Sequence, residues 1–304
     1  MIEPNLVGRR LLPFLPTFLS KVVVIAAVVA GISSTAAHAQ CLVRAQAGAA
    51  FQELTSGVAS ANDSTTYGSS ATSASYGKLF ANSSVSLSDT QSDGGSNPIP
   101  IARFEDTLTV AIPSQPGLFS GTMTIAFYVV GEPTIELSAG GAGSVHNMNT
   151  SYNMIGSRSG GGLYSVNGGR LQGTGSVPEM STVGTVPAPG RVEVDFPVVF
   201  GSPFTLAFDL ITVTGGNQVL LTGQNGFVIG TTTMSFFWDG IESIRDGSDN
   251  ELLSQAVITS CSGTNWLESQ APPPVPVGPF VWGCTALGAL ILVRGLVRPH
   301  FDAA

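Results

Sequence analysis

"RVEVDFPVVF", residues 191–200, is the stretch that decides the fold class of this chain. Val192, Val194, Phe196 and Val198 alternate with Arg191, Glu193, Asp195 and Pro197. A strand turns successive side chains to opposite faces, so the segment reads as a strand with one apolar face for a core and one charged face for water. Pro197 has no N–H to give a ladder, which places this strand at a sheet edge or at a bulge.

The same period recurs on both sides of it. In "DTLTVAI" Leu108, Val110 and Ile112 alternate with Thr107, Thr109 and Ala111. In "TMTIAFYVV" the apolar set is Met123, Ile125, Phe127 and Val129. "FTLAFDLITVT" alternates through Phe204, Leu206, Phe208 and Leu210, then changes phase to Ile211 and Val213, the pattern one extra residue in a β-bulge would leave. Asn167-Gly168-Gly169, Gly215-Gly216-Asn217 and Asn225-Gly226 tolerate positive φ and are read as turns. Helical periodicity is scarce; the main candidate is a short alanine-rich helix over residues 44–54, with a strand as the alternative. Many short alternating runs and 37 glycines predict an all-β body, an antiparallel β-sandwich; a β-solenoid would need a fixed repeat period, and none is present.

The body spans residues 40–270. Residues 56–98 are dominated by Ser, Thr, Ala, Gly and Asn, and are read as a loop or as thin exposed strands without the apolar mass for a core of their own. The body carries 18 carboxylates against 7 cations, a net of −11 (7 minus 18), which argues against nucleic acid as a partner. Cys41 and Cys261 stand near its two ends, and in an oxidising compartment they most simply form one disulfide joining first strand to last; two free thiols are the alternative. Closing so long a loop is worth roughly 4 to 5 kcal/mol in the chain-entropy account.

Both ends of the chain read as addresses. Arg9, Arg10 and Lys21 precede the apolar run 22–32, and Ala37-His38-Ala39 matches a small-x-small cleavage pattern. Residues 1–39 are therefore read as a signal peptide cut between Ala39 and Gln40, handled by the export machinery; a retained membrane helix is the alternative, with fewer apolar residues than a span needs. Residues 271–304 hold a proline spacer (Pro272, Pro273, Pro274, Pro276), 17 uncharged residues from Val277 to Val293, then Arg294 and Arg298. This is a short transmembrane segment with its positive flank on the cytoplasmic side, in the orientation the signal peptide also predicts.

Val275-Pro276, Trp282-Gly283, the apolar helix and the basic end resemble the C-terminal sorting signals of the PEP-CTERM class, in the variant with Val-Pro and an aliphatic-Trp run, and the related IPTL-CTERM signals. The chain departs from that pattern in having Pro274-Val275-Pro276 where the name motif has Pro-Glu-Pro, and two arginines in place of a basic cluster. The resemblance implies recognition and cleavage of the tail by a membrane exosortase; simple C-terminal anchoring is the alternative. Upstream, Trp238-Asp239-Gly240-Ile241, the turn Asp246-Gly247, and the run Thr259 to Trp266 ("TSCSGTNW") resemble the final strands of many PEP-CTERM cargo proteins, a likeness that implies no chemistry.

Nothing in the body assembles a catalyst by sequence. His146 is its one histidine, in "GAGSVHNMNTS", and is read as a loop surface residue. One histidine and one disulfide exclude the usual zinc sites, and no nucleophile elbow, P-loop or dinucleotide fingerprint occurs. The carboxylate pairs a glycosidase would need, Glu193 with Asp195 and Glu105 with Asp106, are read as solvated sheet surface. "DGSDNE", residues 246–251, is the most calcium-like cluster but lacks the EF-hand spacing, and is read as an acidic hairpin. Tyr128, Tyr152 and Tyr164 are candidates for stacking on sugars. The expectation is thus a non-enzymatic exported protein, membrane-anchored or extracellular after tail processing, with a structural or interaction role, no cofactor, and an extracellular polysaccharide as a candidate partner. A surface carbohydrate-binding module is the alternative, and a glycan-active hydrolase the third reading.

Overall fold

The computed structural model describes residues 41–88, 91–92, 98–138, 145–159, 161–174, 179–182, 190–220 and 225–271. The cleavage residues Ala39 and Gln40 and the sorting residues Val275, Pro276, Trp282, Gly283, Arg294 and Arg298 lie outside the described residues. Among the described residues no helix is long and apolar enough to cross a membrane.

The strands follow the alternation of the sequence: β1 (Leu42–Ala47), β2 (Ala50–Leu54), β3 (Ala59–Ser64), β4 (Gly68–Ser75), β5 (Lys78–Ser88), β6 (Gln91–Ser92), β7 (Pro100–Ala111), β8 (Ser120–Ser138), β9 (Val145–Arg158), β10 (Gly161–Thr174), β11 (Glu179–Thr182), β12 (Gly190–Val199), β13 (Pro203–Val219), β14 (Phe227–Asp246) and β15 (Val257–Ser260). They pair antiparallel in two sheets. The first runs β11-β10-β9-β13-β7-β1-β2, with β15 beside β7 and β6 beside β13; the second runs β12-β8-β14-β5-β4-β3. Their inner faces share one core in a sandwich-like arrangement. Phe104 and Phe208 of the first sheet meet Phe127 and Phe236 of the second, with ring centroids 5.5 Å apart for Phe127–Phe208 and 5.0 Å for Phe208–Phe236.

β12 is an edge strand, as Pro197 requires, and buries Phe196 and Val198 while Arg191, Glu193 and Asp195 stay exposed. Leu108, Val110, Met123, Ile125 and Phe127 are fully buried, as their alternation predicts. The first and last strands line up end to end along one side of β7: β1 pairs its residues 100–105 and β15 its residues 108–111. Cys41 and Cys261 meet at that seam.

Three local expectations fail and two resolve to their strand alternative, each for a tertiary reason. Residues 44–54 form no helix but belong to β1 and β2, joined at Gly48, because Val43, Ala45 and Ala47 alternate into the core. Residues 59–88 are regular strands β3 to β5, whose inner face is alanine and leucine (Ala59, Ala61, Ala74, Leu79, Ala81) set against Val43, Ala45 and Ala47; small side chains suffice where both sheets supply them. The phase change at Leu210 and Ile211 is no bulge, since β13 keeps continuous register with both β7 and β9 through it. Ala207, Asp209 and Ile211 are buried on the outer face as Leu206, Phe208 and Leu210 are on the inner, which erases alternation in a central strand. Two expected turns, 167–169 and 215–217, lie inside β10 and β13, and only Asn225-Gly226 falls in a connection. His146 sits in β9 opposite Gln218, not in a loop.

Real register shifts occur elsewhere, in β14 between Trp238 and Gly240 and between Ile241 and Ser243. Gly240 takes a φ of +124°, a conformation closed to most side chains, and the shifts let Trp238, Ile241 and Ile244 all enter the core at a spacing of three.

Candidate functional site

The most elaborated polar site is the seam where the two ends of the body, around Cys41 and Cys261, meet. Asp106 continues the inner-face series Phe104, Leu108, Val110 on β7 and is completely buried. A buried carboxylate is tolerable only when donors surround it, and here three do. Trp266 Nε1 donates to Oδ2 at 2.7 Å, the Ser262 hydroxyl donates to Oδ2 at 2.5 Å, and the Ser262 backbone N–H donates to Oδ1 at 3.1 Å. Cys41 Sγ lies 3.8 Å from Oδ1. Trp266 is in turn fixed by Trp238, whose Nε1 donates to the Trp266 carbonyl at 2.9 Å and whose ring meets it edge-on at 4.9 Å. Phe104 stacks on Trp266 at 5.5 Å.

The segment that leaves this cluster is held as well. Gln270 N–H donates to the Trp238 carbonyl at 2.7 Å, Trp238 N–H donates to the Gly77 carbonyl at 2.8 Å, and Ser269 Oγ donates to Asp239 Oδ1 at 2.8 Å. Gly77 has a φ of +76°, and a Cβ there would stand 2.9 Å from Gln270 Cγ, so the β4–β5 turn must be glycine for residues 266–270 to pass over it. Tyr76 closes the side of the cluster, its ring edge-on to Trp266 and its hydroxyl donating to the Thr55 carbonyl at 3.0 Å. Burial first, then the charges of Asp106 and Glu105, push the Tyr76 hydroxyl from 10.0 up to about 12.

Cys41 and Cys261 are joined in this clasp, with Cα atoms 5.8 Å apart and a sequence separation of 220. Their sulfurs and an Asp106 oxygen are the sole group of three potential metal ligands within 4.8 Å among the described residues. With the sulfurs bonded to each other neither is a thiolate, and the carboxylate already accepts three hydrogen bonds, so the trio fits a structural role better than a metal.

Of the carboxylate pairs singled out by sequence, the fold separates Glu105 from Asp106 and leaves Glu193 and Asp195 together on the exposed face of β12. Adjacent residues on a strand face opposite ways: Asp106 points into the core, which corrects its reading as solvated surface, while Glu105 lies on the outer face and accepts from Arg103 at 2.8 Å. Arg103 also donates to Asp209 at 2.7 Å; burial, opposed by that arginine, holds the Asp209 carboxyl above its ordinary range. Glu193, Asp239 and Glu242 converge on Arg191, where the hydrogen bond it donates to Asp239 first, and the other acids after it, raise the guanidinium further. Asp195 accepts from Thr124 Oγ1 at 2.7 Å.

The 246–251 turn directs its carboxylates onto its own chain. Asp246 accepts from the backbone N–H groups of Ser248 and Asn250 at 2.8 and 2.9 Å and from Asn250 Nδ2 at 2.8 Å, bonds that, led by the Asn250 side chain, lower its carboxyl below the usual range. Glu251 Oε1 accepts from the Ile244 and Leu253 N–H groups. This is an Asx-type acidic hairpin, with Asp249 at a φ of +65° closing the turn. Of the tyrosines, Tyr152 is buried in the core and so closed to a sugar; Tyr164 is half-buried and packs edge-on to Phe127 at 5.3 Å, and Tyr128 is half-buried on the outer face of β8.

No protein-family model, no curated protein and no solved structure matches this chain. The clasp is built largely from residues the sequence had flagged as motifs, Trp238, Ser262 and Trp266, but its centre, Asp106, was missed. Its signal was present: an acid in phase with Phe104, Leu108 and Val110 belongs to the buried face.

Proposed function

We propose that this chain is a non-enzymatic, exported protein of the cell surface or extracellular matrix, delivered by the signal in residues 1–39 and sorted by the tail in residues 271–304. In this reading a membrane exosortase recognises Val275-Pro276 and Trp282-Gly283 and cuts the tail, and the acidic body serves a structural or interaction role outside the cell.

One observation carries it. Both ends of the body, Cys41 and the segment 261–271, are fastened at one cross-linked, buried cluster immediately before the spacer that leads to the tail. A domain tethered or processed at its C-terminus needs that exit fixed against fraying, because ends without such ties open first. The joined cysteines also fit an oxidising compartment. Among the described residues, the carboxylates of Asp239, Glu242 and Asp246 are bound into ion pairs and a turn.

The test is the intact mass of the protein recovered from cells and from medium, with and without reduction. Loss of residues 1–39 and of the chain beyond about Pro276, with a gain of about two daltons on reduction, supports the proposal. A full-length C-terminus confined to the membrane fraction overturns sorting by cleavage, and turnover of polysaccharide by the purified protein overturns the non-enzymatic role.

A further inference from the structure

Between the two apolar clusters of the interior lies a layer of hydroxyls. On β5 the inner face reads Ala81, Ser83, Val85; on β9, Met148, Thr150, Tyr152; on β13, Leu210, Thr212, Thr214; on β14, Thr232 is followed by Met234. Ladder register sets Ser70 of β4 beside Ser83, Ser83 beside Thr232, and Thr150 beside Thr214. The two sheets touch through these groups: Ser83 Oγ lies 2.8 Å and Thr232 Oγ1 3.2 Å from Thr214 Oγ1. On one side of the layer stands the large aromatic core, and on the other a small cluster of Val85, Leu87, Ile135, Met148 and Val228.

Ser83, Thr214 and Thr232 satisfy one another, but Ser70, Thr72, Thr150 and Thr212 do not. Each of these four is at least nine-tenths buried, and its hydroxyl oxygen has no protein partner. Buried hydroxyls are almost always paired, by protein or by ordered water. The four lie on adjacent strands around the satisfied trio, so their unmet donors and acceptors face a shared region; directly opposed residues on a ladder bring Cβ atoms to about 5 Å. One water needs two to four polar partners, and this layer supplies seven hydroxyls.

We propose that the Ser70, Thr72, Thr150 and Thr212 hydroxyls bind ordered internal water, forming a hydrated layer that joins the two sheets between the aromatic core and the smaller apolar cluster. Water fits where a larger or charged ligand does not, because the lining groups are short, neutral donor-acceptors and every one is sealed from solvent. The layer is a built site on five strands of two sheets, and it accounts for hydroxyls standing where an apolar face would otherwise continue.

Oxygen-17 relaxation dispersion on the mature exported protein counts waters that reside too long to be surface hydration. Wild type is expected to show a long-lived population that falls by at least half in Ser70→Ala/Thr150→Val/Thr212→Val. An unchanged population overturns the proposal. Should the triple variant lose its near-ultraviolet dichroism, Thr212→Val alone serves. Removing one partner of a bound water lowers both the water count and the urea midpoint, whereas a dry, orphaned hydroxyl leaves the count unchanged and its removal raises the midpoint, which overturns the proposal.

Discussion

The clasp around Asp106 and the layer around Thr214 occupy the same interior, yet they bury polar groups in opposite ways. Asp106 carries a formal charge out of water and is met by two side-chain donors and one backbone N–H. The layer carries only neutral hydroxyls, and four of its seven lack a protein partner. The contrast teaches that the cost of a buried polar group follows its partners, not its charge. The first site is rigid and aromatic and fastens chain ends more than 150 residues apart in sequence; the second is small, neutral and assembled from Ser and Thr that look like surface residues one at a time.

The strongest way to break the comparison is to empty the clasp. Trp266→Ala removes a fully buried indole and one of three donors to Asp106, and is expected to cost about 4 to 5 kcal/mol in urea unfolding. A loss below about 1 kcal/mol would mean the segment 261–271 is not part of the cooperative unit. Asp106→Ala tests the same site from the acid side, orphaning Ser262 and Trp266 together, with an expected loss of about 3 kcal/mol.

Next in size is the disulfide. Reduction, or Cys41→Ser with Cys261→Ser, is expected to lower stability by roughly 3 kcal/mol, below the chain-entropy figure because a reduced unfolded chain retains residual structure, while leaving far-ultraviolet dichroism unchanged, since β1 and β15 keep their ladders to β7. Loss of strand signal on reduction would show that the seam depends on the cross-link rather than on pairing.

A smaller effect appears at high pH. Tyr76 is raised from 10.0 to about 12 in the folded protein, so the stability tied to its neutral hydroxyl is fully present below pH 10 and is lost as pH rises through about 12. Phenolate absorbance should therefore show one tyrosine ionising about two pH units late, and Tyr76→Phe should remove that late step. The smallest effect belongs to the 246–251 hairpin. Asp246 is lowered, so its contribution is present above the unfolded carboxyl range and fades as pH falls through the folded value. Because the group is exposed, Asp246→Ala should change the urea midpoint only slightly, most visibly as a loss of the acid-side slope.

Much of the architecture is legible in the sequence because a sheet with one wet face imposes period two: β7, β8 and β12 are readable residue by residue. Legibility fails where a second layer or a neighbouring strand removes the contrast between faces. β13 is buried on both sides, so its pattern imitated a bulge. β1 and β2 are alanine-rich, so local propensity pointed to a helix until the ladder to β7 decided otherwise. β3 to β5 use alanine and serine as core residues, which composition alone reads as loop or as thin exposed strands. Trp238 and Trp266 were visible as motif residues and Cys41 with Cys261 as a pair, but their meeting at Asp106 needs β7, β14 and β15 in place.

By itself, then, the sequence determined an all-β body of alternating strands, its acidic surface and the plausible pairing of Cys41 with Cys261, because strand periodicity, charge and cysteine count are local properties. Tertiary structure alone decided which acids are surface and which, Asp106 and Asp209, are buried, that 44–54 and 59–88 run through strands of the two sheets, and that hydroxyls from five strands share one interior layer. Those outcomes depend on register between strands far apart in the chain, and register is set by the packing of whole faces rather than by any single segment.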